Sequence, residues 1–185
     1  MTTSDAGHPI VPSGAPAGEG RDDFNFLLGT WRVGNRRLQR PLDPDDDSWE
    51  EFSADAVVRP VLTGLGNTDT ISSERGPGGQ FFEGLTLRLF DPGDGLWRIW
   101  WTSTRQPGHL DPPMTGAFTG RHGIFFGDDE VAGTPIRIRF DWHALDDDSA
   151  RWAQAFSLDG GRTWTTNWIM DFTRTTDPGL LGRPV

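Results

Sequence analysis

The sequence contains no cysteine, no lysine and no tyrosine. Without cysteine there is no disulfide, no zinc–thiolate or iron–sulfur centre and no thiol nucleophile. Without lysine all 17 basic residues are arginine, each a planar fork suited to carboxylates and aromatic faces. No run of arginine makes a basic stripe, and the formal net charge of −10 repels a phosphate backbone, so no nucleic-acid partner is expected. No stretch approaches the roughly 20 apolar residues that span a bilayer. Residues 1–14 lack the basic start and apolar run of a secretory signal, so a cytoplasmic protein without membrane partners is expected. There is no G-x-S-x-G, P-loop or dinucleotide fingerprint, and no cofactor is expected.

What the chain does have is nine Trp and twelve Phe in 185 residues, enough length for one domain with a sizeable core. Residues 1–20 and 175–185 are rich in Gly, Pro, Ser and Ala and are expected to be tails around a folded part at 21–174. Asp22 or Asp23 is placed to cap a short helical turn presenting Phe24, Leu27 and Leu28 to one side. After Gly29 the pattern turns to period two. Strands are predicted near 29–38, 49–60, 68–74, 81–90, 96–104, 114–119, 123–127, 135–144, 151–157 and 164–174. Clusters such as Asp91-Pro92-Gly93-Asp94-Gly95, Gly127-Asp128-Asp129 and Asp146-Asp147-Asp148 separate them. Such spacing favours sequential hairpins, and about ten meandering strands close most simply into a barrel, which removes both edges. The fold class expected is all-β: a single antiparallel up-and-down β-barrel with a short N-terminal helical turn.

Alternation supports the strands and leaves their orientation open. Ile136, Ile138, Phe140 and Trp142 share one face of their strand, and Arg137, Arg139, Asp141 and His143 the other. Leu85, Leu87 and Leu89 oppose Thr86, Arg88 and Phe90; Trp97, Ile99 and Trp101 oppose Arg98, Trp100 and Thr102. Periodicity alone does not say which face is the lumen.

Leu27-Leu28-Gly29-Thr30-Trp31-Arg32 follows the helical turn, and Asn167 to Arg174 ends the last strand. These segments resemble the signature of the calycin (lipocalin-like) superfamily, a G-x-W opening the first strand and a basic residue near the last. The resemblance implies that Arg174 packs over the Trp31 indole and closes the barrel base. Residues 22–174 further resemble an uncharacterised bacterial family of lipocalin-like barrel proteins, through Phe82-Glu83-Gly84-Leu85-Thr86-Leu87-Arg88, Leu96-Trp97-Arg98-Ile99-Trp100-Trp101 and Arg151-Trp152-Ala153-Gln154-Ala155-Phe156-Ser157. Such a resemblance speaks to fold more than to function. Nitrobindins, a haem-binding calycin branch, begin with a similar G-x-W. Their histidine-bearing C-terminal segment has no match here.

Ser157-Leu158-Asp159-Gly160-Gly161-Arg162-Thr163-Trp164 fits an Asp-box, S-x-D-x-G-x-T-W. It reads as a hairpin staple in which Asp159 bonds turn amides and Trp164 packs on the hairpin. One copy without a repeat of about 40–50 residues argues against a propeller glycosidase. Asp43, Asp45 and Asp47 start like an EF-hand loop, but Ser48 and Ala54 occupy the places of its Gly and Glu, so the run reads as a solvated turn. His8, His109, His122 and His143 show no metal-ligand spacing, and no metal site is expected.

The remaining signal is the set of strand arginines and tryptophans. Arg88, Arg98, Arg137, Arg139 and Arg151 pair with surface carboxylates if they face outward, and bind an anionic head group if some face inward. An inward arginine needs Asp141, Glu83 or a ligand carboxylate as partner. Trp100, Trp152 and Trp168 serve as packing or as ligand platforms. Gln154 and Asn167, if inward, orient a ligand carbonyl or hydroxyl. The candidate ligand-binding set is therefore Arg88, Arg98, Trp100, Arg137, Arg139, Gln154 and Asn167. The leading reading is a barrel that binds a hydrophobic or aromatic small molecule, an anionic one included, with a homodimer as a further partner state. The alternative is a cofactor-free isomerase, cyclase or decarboxylase using His143 and Asp141 as acid–base groups in the cavity. A side-chain-filled barrel with a structural role is the third reading.

Overall fold

Each stretch of alternating sequence forms a strand in the computed structural model, which describes residues 20–43 and 45–177. The tails expected at 1–20 and 175–185 lie outside the described residues, apart from Gly20 and residues 175–177. The strands are β1 (Gly29–Leu38), β2 (Trp49–Val61), β3 (Gly66–Ser73), β4 (Phe82–Asp91), β5 (Leu96–Ser103), β6 (Met114–Thr119), β7 (His122–Val131), β8 (Thr134–Ala144), β9 (Ser149–Ser157) and β10 (Thr165–Arg174). Each pairs antiparallel with its neighbours in sequence, and β1 pairs with β10 to close a ten-stranded up-and-down barrel. Three short 3₁₀ turns are the helical elements among the described residues, and none is long and apolar enough to cross a membrane.

The β7–β8 connection differs from the sequence reading. Gly127-Asp128-Asp129 is strand, and the chain reverses instead at Ala132-Gly133, both with positive φ (51° and 80°). Two left-handed central residues are what a tight hairpin of right-twisted strands needs. The acidic residues 128–130 therefore extend β7 to the rim.

One end of the barrel is plugged by residues 20–28. The 3₁₀ turn Asn25–Leu27 has Phe24 as its N-cap and no side-chain cap bond; Asp22 instead accepts from the Asn25 side chain at 2.9 Å, so neither expected aspartate caps it. What holds the turn is burial. Phe24 and Leu27 are enclosed, and Phe24 lies edge-on to Trp97, Phe118 and Trp142 at 5.0, 4.9 and 5.8 Å. Leu28 is half-buried.

The same end carries the Trp31–Arg174 pair, which face each other across β1 and β10. The guanidinium carbon lies 4.2 Å from the indole centroid. Its nitrogens donate to the carbonyls of Leu28 (2.7 Å), Phe26 (2.8 Å) and Asp147 (2.9 Å), while Trp31 Nε1 donates to Leu27 O at 2.7 Å. Gly29 sits at φ 122°, and a Cβ there would lie 2.7 Å from Arg174 Nη1. The G-x-W glycine thus makes room for the arginine that spans plug and barrel. Residues just beyond β10 stay attached, since Thr175 N donates to Thr30 O and Arg32 pairs with Asp177 at 3.0 Å.

At the opposite end the β9–β10 hairpin is stapled by Asp159. Its carboxylate accepts from the Arg162 and Thr163 amides (both 2.9 Å) and from the Thr163 and Ser157 hydroxyls (both 2.7 Å). These bonds hold its carboxyl well below the ordinary range, the Thr163 amide bond foremost. Trp164 Nε1 donates to Gly161 O at 3.1 Å, and its ring packs by Phe126.

Candidate functional site

The barrel encloses a cavity of about 820 Å³, within the roughly 300–1,000 Å³ usual for small-molecule sites. Its walls are aromatic and aliphatic: Phe82 and Trp101 on one side, Phe140, Trp152 and Trp168 on the other, with Ile71, Ile99, Ile138 and Met170 between. The inward face is set by β1, where Trp31, Val33 and Asn35 are buried and Arg37 follows at the rim. Gly84 on β4 leaves space for the Trp101 ring; a Cβ there would sit 2.0 Å from Trp101 Cη2.

The floor, above the plug, is polar but internally paired. Arg88 is 3% exposed and bonds Asp69 Oδ2 at 2.6 Å and Asn67 Oδ1 at 2.9 Å. The register opposes Asn67 to Arg88 and Asp69 to Thr86, and the Thr86 hydroxyl donates to Asp69 at 3.0 Å. The guanidinium also lies over Phe24 and Trp142 at 5.3 and 5.4 Å. The inward arginine thus takes Asp69 as its partner, rather than Asp141 or the exposed Glu83. A buried charge paired with a diagonal cross-strand carboxylate, two positions from the residue directly opposite it, avoids the penalty of an isolated ion. Nε of Arg88 and Nε1 of Trp142 are buried donors without a hydrogen-bond partner.

The mouth, at the other end, is charge-polarised. Arg37 and Arg105 line one side, and Asp111, Asp128, Asp129 and Glu130 the other. Arg37 stacks on Trp168 at 5.2 Å and meets Glu50 at 3.7 Å; Arg105 donates to Pro77 O at 2.9 Å. Burial lowers the Arg37 pKa, Glu50 raises it and Arg105 lowers it again. Across the mouth, burial and then Asp129 raise the Asp111 pKa, with His109 opposing them.

Of the residues singled out by sequence, Arg88, Gln154, Trp152 and Trp168 line this cavity. Gln154 donates to Asn167 Oδ1 at 2.8 Å, and Asn167 itself is buried at a β-bulge between Thr166 and Trp168 rather than on the cavity wall. Arg98, Trp100, Arg137 and Arg139 are not on the cavity. Their alternation partners Ile99, Trp101, Ile136, Ile138 and Phe140 face it, so these four lie on the outer wall. Arg98 pairs there with Asp94 at 2.6 Å, Arg139 bonds Asp141 at 2.7 Å and stacks on Trp164, and Arg137 stacks on Phe126. Arg151 pairs with Asp171 at 2.6 Å, also outside. On β4 the leucine face is the outer one and the Thr86–Arg88–Phe90 face the inner one, the reverse of simple hydrophobic patterning. Arg37 and Arg105 were missed by the sequence reading. Counting by twos from Trp31 would have reached Arg37; nothing in the sequence marks Arg105.

This architecture has a counterpart among solved structures. The chain is similar in fold to Rv2717c from M. tuberculosis. The match has a TM-score of 0.56 at 15% identity and covers 88% of this chain and 99% of that one. No family model matches the chain, and no curated protein does. The likeness to Rv2717c concerns the barrel alone, so function rests on this chain's own side chains.

Asp141 and His143 also lie on the outer wall, opposite in sense to Phe140 and Trp142. They cannot reach a molecule in the lumen, and the acid–base enzyme reading loses its candidates. They are not isolated, however. His122 faces His143 across β7 and β8, with rings stacked at 4.2 Å and 9°, and His122 Nε2 lies 3.1 Å from Asp141 Oδ1. Burial first, then His122, lowers the His143 pKa, which favours the neutral imidazole; Asp141 opposes and Arg151 reinforces that shift.

Proposed function

We propose that this chain is a small-molecule-binding barrel of the lipocalin-like (calycin) type, whose lumen takes a hydrophobic or aromatic ligand with a carboxylate at the mouth. The observation that carries it is the aromatic cavity of about 820 Å³, plugged at one end and lined at the other by Arg37 and Arg105. A packed structural barrel fills its lumen with side chains; this one does not. The apolar walls supply affinity in proportion to the area they cover, at about 25 cal/mol per Å². The floor arginine is neutralised by Asp69 at 2.6 Å, whereas Arg37 meets Glu50 only at 3.7 Å and Arg105 donates to the Pro77 carbonyl, so the mouth is where an added anion gains most. The acidic β7 rim opposes it and orients the head group toward the arginine side. The Trp31–Arg174 closure supports the calycin reading, because it fulfils what that resemblance implies.

Titration of Trp fluorescence with an aromatic carboxylate and with its neutral amide tests the proposal. The carboxylate should quench saturably and bind about tenfold more tightly, the lower end of a charge-assisted contact at a part-exposed site. Arg37→Gln should abolish that preference and leave amide affinity unchanged. Equal affinities for acid and amide would remove the anionic head from the account. Absence of saturable quenching by either would remove the ligand.

A further inference from the structure

We propose that His122, Asp141 and His143 form a site for one divalent transition-metal ion, of the zinc or copper(II) type, on the outer wall of the barrel. The site is independent of the lumen. One ligand atom from each residue can be chosen so that all lie within 4.8 Å of one another. The backbone enforces the grouping. The β7–β8 register sets His122 opposite His143, and Asp141 is two residues from His143 on the same strand, hence on the same face. Because the tight Ala132-Gly133 hairpin fixes that register, the three side chains project from a rigid sheet rather than from loops.

The donor set selects the ion. Two imidazoles and one carboxylate suit zinc or copper(II), whereas calcium and magnesium take all-oxygen sites. Metal–ligand bonds of about 2.0–2.2 Å place tetrahedral neighbours about 3.3–3.6 Å apart. His122 Nε2 and Asp141 Oδ1 are already 3.1 Å apart. The parallel imidazoles must tilt, since lone pairs lie in the ring planes, and the half-buried positions of both histidines leave room for it. Arg139 Nε holds the other carboxylate oxygen, Asp141 Oδ2, at 2.7 Å, which directs Oδ1 toward the histidines as outer-shell partners of metal ligands do. The neighbouring cations are engaged elsewhere: Arg151 by Asp171 at 2.6 Å, and Arg121 on the Ala144 carbonyl at 2.5 Å. Three protein ligands leave a fourth position for water or a small anion.

The test is calorimetric titration of the untagged full chain with zinc chloride, paired with NMR of the imidazole nitrogens. One equivalent should bind. His122→Asn and His143→Asn should each weaken binding by at least about tenfold, since even outer-shell partners are worth about 10–100-fold. The double variant should abolish it, while His8→Asn and His109→Asn leave it unchanged. In the unaltered chain zinc should shift the His122 and His143 nitrogens before any other histidine, a readout that does not depend on a variant folding. No saturable binding, or first shifts at His8 or His109, overturns the proposal. So does full affinity in a double variant whose circular dichroism matches the parent.

Discussion

Replacing Arg174 with alanine should open the plugged end of the barrel. The Arg174 side chain is 29% exposed, so its contacts are screened in part. Its stack on Trp31 contributes about 1 kcal/mol at such a site. The donors to Leu28, Phe26 and Asp147 are each worth about 0.5–1 kcal/mol after discounting charged-group values for exposure. Lost together with the packed stem, they amount to about 2.5–4 kcal/mol. With a urea slope of about 2 kcal/mol per molar, the midpoint should fall by about 1–2 M, and Tm by roughly 4–15 °C for a domain of this size. Urea unfolding followed by Trp fluorescence measures it directly. Arg174→Lys should recover at most half, because an ammonium cannot span three carbonyls from one plane. A midpoint for Arg174→Ala within about 0.2 M of the parent, far below that slope-based shift, would refute the claim that this residue locks plug to barrel.

Gly29→Ala should damage the same lock from the other side, lowering the urea midpoint, because φ 122° is strained for alanine and its Cβ would meet Arg174 Nη1. Burial, and then Asp22, push the Asp23 carboxyl up from 3.8 to about 6. A raised acid disfavours the folded state once charged, so Asp23→Asn should raise Tm at pH 7, and the gain should vanish as pH falls from about 6 to below 3.8. Asp159 has the opposite sign. Its depressed pKa gives stability that is full above 3.8 and lost as pH falls through the folded value, so Asp159→Asn should flatten the acid limb of the Tm–pH curve. An acid limb identical to the parent's would count against the staple.

The strands were readable because aspartate- and glycine-rich turns bound them, and the Asp159/Trp164 grouping is local enough for motif reading. Arg174, by contrast, lies on the last strand, far from Gly29 and Trp31, and its pairing with Trp31 came only from the calycin resemblance. Side-chain orientation was not readable. On β4 and β5 both faces carry large apolar or aromatic residues, so hydrophobic contrast does not choose between them. On β8 the contrast is clear, Ile136, Ile138, Phe140 and Trp142 against Arg137, Arg139, Asp141 and His143, but contrast alone does not say which face a ligand-binding lumen takes, and only closure around Trp31 does. That is why Arg98, Trp100, Arg137 and Arg139 were expected on a ligand they do not face. The partner of Arg88 was hidden for a related reason, since Asp69 lies on another strand and becomes its neighbour through register. The His122–His143 pair was missed through one turn. Reading Gly127-Asp128-Asp129 as the hairpin tip displaces the register, whereas counting back from Ala132-Gly133 sets the two histidines opposite one another.

The central claim, that the lumen is a binding site and not merely a void, is tested most directly by filling it. Ile138 faces the cavity at mid-strand, where a larger ring can enter open space. Calorimetry with the aromatic carboxylate should show one site in the parent with a negative heat-capacity change, the mark of apolar surface removed from water. In Ile138→Trp, with the barrel still folded, that heat should be gone. Undiminished binding to the filled barrel would contradict the account, because the ligand would then sit somewhere other than the lumen.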